Sequence, residues 1–87
     1  MISGKTESGF KFQIDDQALN DMELIEELLK VDSGDITALP GVLKALLGEK
    51  QKKKLYDHVR TDAGRVPMDL LAIEVTDIFK ASKTVKN

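Results

Sequence analysis

Cysteine is absent from the 87 residues, which excludes a disulfide framework, a thiolate nucleophile and any cysteine-based zinc or iron–sulfur site. Aromatic residues are few, three Phe and one Tyr, so aliphatic side chains must supply most of the core. No apolar run approaches the ~20 residues that span a bilayer, and the first residues lack the apolar stretch of a secretory leader. No membrane partner is expected, and a reducing, cytoplasmic location fits. The glycines are scattered and build no phosphate-cradling loop. The single histidine, His58, directly follows Asp57, and neighbours on a helix diverge by about 100°, so the two cannot act as an orienting pair unless a distant element completes the site. A chance place on a helix surface is the expected role of His58. Asp15, Asp16 and Asp21 lack the spacing and glycine of a calcium loop. No catalytic, cofactor-binding or metal-binding residue is therefore expected, and the chain should act by binding rather than as an enzyme.

What is present is a single domain's worth of aliphatic residues. Val, Ile, Leu, Met, Phe and Tyr fill 30 positions, 11 of them Leu, enough for a core without a covalent staple. The expected fold is mainly α, a compact bundle of about four helices behind a short β-hairpin over residues 1–14, with an α+β arrangement as the alternative. The hairpin follows from the alternation Phe10-Lys11-Phe12-Gln13-Ile14, with turn residues before it and Ile2 on the partner strand. A lone hairpin is marginal in water and must rest on the helices.

Residues 15–82 carry the helical core. Asn20 and Glu23 fit a capping box, with Leu19 and Leu24 as its hydrophobic staple. Met22, Ile25, Leu28 and Leu29 then form one stripe, ending at Val31-Asp32-Ser33-Gly34. The second helix runs through Leu39, Val42, Leu43, Leu46 and Leu47, with Pro40 in its first turn and Gly48 as the left-handed residue that closes it. A third helix spans 50–60 and contributes Leu55, Tyr56 and Val59. Pro67 opens a fourth, over 67–82, with Met68, Leu71, Val75, Ile78 and Phe79 facing the core. Residues 83–87 are expected to fray.

On that last helix Leu70 and Ile73 lie opposite the core stripe, with Val66 extending the same side. Either the hairpin covers them or they form an exposed apolar contact surface, the candidate partner-binding site. Charge is uneven: residues 1–35 carry three Lys against nine Asp/Glu, and residues 36–87 carry ten Lys/Arg against six. Lys50, Lys52, Lys53 and Lys54 form the one basic run. A small nucleic-acid-binding regulator using that helix is the alternative function, but the run is short, the balance acidic and Tyr56 the only nearby aromatic, so nucleic acid is not the expected partner.

The segments Asp21-Met22-Glu23-Leu24, Thr37-Ala38-Leu39-Pro40, Leu46-Leu47-Gly48-Glu49, Leu55-Tyr56-Asp57-His58 and Gly64-Arg65-Val66-Pro67 resemble small tail-assembly chaperones of long-tailed phages and prophages of Gram-positive hosts. The resemblance covers roughly residues 9–80, from Phe10, Phe12 and Ile14 to Ile78-Phe79, and its motifs are structural rather than catalytic. It implies a helical, oligomerising protein of the bacterial host cytoplasm, made as short and frameshift-extended forms. Such a protein binds the apolar tape-measure rod, or another tail protein such as the tube subunit, during virion assembly and is absent from the finished tail. No family site residue transfers to a position of this sequence.

Overall fold

The computed structural model describes residues 1–85, with side chains as far as Ser82. Strands β1 (Ile2–Lys5) and β2 (Lys11–Ile14) pair antiparallel in the register Ile2↔Ile14 to Lys5↔Lys11. The alternation that marks β2 places Phe12 and Ile14 in the core and Lys11 and Gln13 in solvent. Gly4 sits opposite Phe12 for a steric reason: a Cβ there would lie 2.7 Å from Phe12 Cζ and 3.5 Å from Ala81 Cβ. The hairpin is thus pressed directly onto the last helix.

Helix α1 (Met22–Asp32) differs from expectation in two respects. Its N-cap is Asp21, not Asn20: Asp21 has extended backbone (φ −122°, ψ 112°) and its carboxylate accepts from the Glu23 amide at 2.9 Å. Asn20 instead ends a 3-10 turn, Ala18–Asn20, where its side-chain amide donates to Gln17. The buried face is also rotated. Leu24 is fully buried with Leu28 and Val31 beneath it, while Met22 and Leu29, expected in the core stripe, are 69% and 63% exposed. Packing on α2 and on the Ile36–Ala38 turn selects the 24/28/31 face, to which Ile25 is marginal.

Helix α2 (Leu39–Val59) contains the second and third expected helices, broken at Gly48. Leu39, Val42, Leu43, Leu46 and Leu47 are all buried, as their spacing requires. Gly48 has positive φ (81°), but its ψ of 165° is extended rather than left-handed helical, so it kinks α2 instead of closing a helix in the expected way. The kink turns the second half toward β2. There Gln51 Oε1 accepts from the Gln13 amide at 2.7 Å and Gln51 Nε2 donates to the Gln13 carbonyl at 2.5 Å. One side-chain amide therefore serves the outer edge of β2 as a third strand would. Gln51→Ala is expected to destabilise the protein by about 1–2 kcal/mol, from two lost hydrogen bonds, and to accelerate exchange of the Gln13 amide; unchanged exchange would show that the contact does not hold the edge.

Helix α3 (Met68–Val85) continues through three of the residues expected to fray; residues 86–87 lie outside those described. Leu71, Val75 and Ile78 are buried and Phe79 is half-buried, but Met68, in the first turn, is 60% exposed rather than in the core. Among the described residues no helix is long and apolar enough to cross a membrane.

Candidate protein-binding surface

The hairpin rests on the side of α3 that carries Glu74, Ile78 and Ala81. It leaves Leu70 and Ile73 uncovered, at 41% and 54% exposure. The three residues predicted as one site are not on one surface. Leu70 and Ile73 stand on the outer side of α3. Val66 is half-buried in a hollow of about 250 Å³, with Ile36, Pro40, Tyr56, Met68 and Leu71 around it.

A larger apolar feature escaped the periodicity. Between α1 and α3 runs an open groove of about 580 Å³. One wall is Ile25, Leu28, Leu29 and Val31; the other is Ala72, Val75 and Phe79, with Leu39 of α2 contributing to its lining. Leu39 also lines the Val66 hollow, so the two depressions adjoin. Asp32, Thr76 and Lys80 add polar groups. The groove exists because α1 packs on α2 and the Ile36–Ala38 turn, whereas α3 packs on β1 and α2. The signal in the sequence was the excess of apolar residues on α1: Met22, Ile25 and Leu29 as well as Leu24, Leu28 and Val31, more than one face of a short helix can bury.

A second unforeseen constellation joins the hairpin loop to both long helices. Thr6 Oγ1 and Ser8 Oγ donate to the two oxygens of the Glu74 carboxylate, at 2.8 and 2.6 Å, and Ser8 Oγ lies 2.9 Å from His58 Nε2. Glu74 is only 4% exposed, and its charge is met there by hydroxyl groups. The His58 ring also packs 5.5 Å from that of Phe10, so the histidine is a docking contact and not a bystander on the helix surface. The order is carboxylate, serine, histidine. A serine nucleophile needs histidine in the middle, accepting the hydroxyl proton. Here that proton goes to Glu74, and His58 completes the chain by donating from Nε2–H. The cluster fastens a loop.

Within the basic run, Lys50, Lys53 and Lys54 are exposed, while Lys52 lies over the Tyr56 ring at 5.7 Å and pairs with Glu49 at 3.9 Å. Among the described residues no group of three or more His, Asp and Glu side chains suits a metal ion. No protein-family model, curated protein or solved structure matches the chain.

Proposed function

We propose that this chain is a non-enzymatic binding protein that holds an amphipathic helical segment of another protein in the groove between α1 and α3. The observation that carries this reading is the groove itself, apolar on both walls and open to solvent, with Leu29 exposed at its edge. Helix-in-groove recognition needs such a cleft and an apolar i, i+3, i+4, i+7 stripe on the partner. Asp32 is exposed on α1 at the groove and favours a partner that carries Lys or Arg beside its stripe. The resemblance supplies the biological setting: a tail-assembly chaperone in the bacterial cytoplasm whose client is the tape-measure protein or another tail protein, working as a homo-oligomer. A holdase of that kind requires apolar surface that tolerates many client sequences, and the Ile25, Leu28, Leu29 and Phe79 side chains along the groove meet that requirement.

The test is fluorescence anisotropy with a labelled amphipathic peptide carrying a Leu stripe between lysines, and with helical segments of a tape-measure protein. Leu29→Asp should weaken binding at least tenfold, a loss of about 1.4 kcal/mol, and the exposure of Leu29 lets the fold tolerate the change. Ile73→Asp separates the groove from the outer side of α3. If Ile73→Asp abolishes binding and Leu29→Asp does not, the partner sits on Leu70 and Ile73; if no peptide binds, the protein-binding reading fails.

A further inference from the structure

The basic residues that cluster in space share only Lys54 with the run read from the sequence. Across the outer face of the hairpin and onto α2 lies a depression of about 640 Å³, whose charged lining is Lys5, Lys11 and Lys54. Ser3, Gln13 and Gln51 add neutral polar groups, and no carboxylate lines it. Lys5 and Lys11 are directly opposite one another across the two strands and both exposed, an arrangement that costs stability through like-charge repulsion. Lys54 joins them because Gln51, one turn earlier on the same side of α2, is tied to Gln13. Among the described residues none of the three makes an ion pair. The surface is an uncompensated cationic face.

Its complement is on the same molecule. Residues 1–35 hold nine of the fifteen acids. Asp16 is matched by the Met1 ammonium, Asp21 caps α1 and Glu27 pairs with Lys30. Glu23 and Glu26, three residues apart on α1, are exposed and have no ion pair among the described residues. The cationic face belongs to the hairpin and the second half of α2, the anionic one to α1, which packs on α2 and the Ile36–Ala38 turn. Where the pair is not two-fold symmetric, a contact between unlike faces leaves one of each unused and repeats in one direction.

We propose that copies of this chain associate head to tail, the Lys5, Lys11 and Lys54 face of one copy seated on Glu23 and Glu26 of the next. The contact is ionic and therefore salt-sensitive. It uses surfaces other than the apolar groove walls and stands independently of the client-binding reading.

The experiment is sedimentation velocity on the full chain. At about 10 mM salt, where charges act over ~30 Å, the weight-average mass should rise with concentration from the 9.6 kDa of one chain to at least that of two copies. At about 1 M salt, with a screening length of ~3 Å, it should return to that of one chain. The variant Lys5→Gln/Lys11→Gln/Lys54→Gln and the variant Glu23→Gln/Glu26→Gln should each remain single at low salt. Mixed in equal amounts they should form a two-copy species and stop there, because only one intact face of each kind is present. A wild-type chain that stays single at low salt overturns the proposal, as does association indifferent to salt or a mixture that does not pair. Lysine-dependent binding of a single-stranded oligonucleotide by a wild type that does not self-associate also overturns it, and assigns the face to a polyanion. Peptide anisotropy reads the groove separately, so either reading can fail without the other.

Discussion

Phe12→Ala is expected to lower the unfolding free energy by about 3–5 kcal/mol, the cost of truncating a fully buried aromatic side chain. Phe12 is 2% exposed and forms the underside of the hairpin, against Gly4 and near Ala81. Against the ~5–15 kcal/mol typical of a domain, that loss brings the protein close to its limit. The damage should also be local in a readable way. Without the ring the two-stranded sheet loses its largest buried side chain, and an unsupported hairpin is marginal in water. Amide exchange in β1 should therefore quicken more than exchange in the buried half of α2. A companion variant tests the packing directly. Gly4→Ala drives a Cβ to 2.7 Å from Phe12 Cζ and should destabilise the wild type. In the Phe12→Ala background the same change meets empty space and should cost little, a coupling of about 1 kcal/mol or more in urea unfolding. Additive effects would show that Gly4 and Phe12 do not meet.

The second large effect is expected at Gly48. Its φ of 81° with ψ of 165° lies in a region essentially restricted to glycine. A Cβ there meets no atom within 4 Å, so the penalty for Gly48→Val is conformational rather than steric. It should reach about 3 kcal/mol, the upper end of backbone strain for a single residue. The chain can escape the strain only by straightening α2, and that would carry Gln51 away from Gln13. The variant should thus combine a lower midpoint in urea with loss of protection at the Gln13 amide. Full protection at that amide in a destabilised variant would mean that the kink is held by other contacts.

Much of this fold could be read along the chain, and the reasons are local. The five apolar residues from Leu39 to Leu47 fall on one stripe, and all five are buried. Phe12 and Ile14 alternate with polar neighbours and face inward for the same reason. On α1 two stripes compete, Met22/Ile25/Leu29 and Leu24/Leu28/Val31. Helical period cannot choose between them, because the choice is made by where α2 lies. Asn20 and Asp21 are equally good caps by composition; the 3-10 turn before them decides that Asp21 takes the role. The groove, the Glu74 cluster and the lysine face were illegible for a different cause. Each depends on residues distant in sequence: Ser8 and Glu74 are 66 positions apart, and Gln13 and Gln51 are 38 apart. Leu70 and Ile73 could be read as lying off the core stripe, whereas the resting place of the hairpin, which decides whether they are covered, could not.

The bonds from Thr6 and Ser8 to Glu74 bear on the order in which the molecule is completed during synthesis. The hairpin leaves the ribosome before the helices described here, yet its anchoring carboxylate is encoded 66 to 68 residues later. At ~5–20 residues per second, that acceptor follows the loop by roughly 3–14 s. During this interval Phe10, Phe12 and Ile14 have no α3 to cover them. Of the described elements the hairpin is made first and secured last, and the nascent chain carries an aromatic pair in want of shelter until α3 emerges.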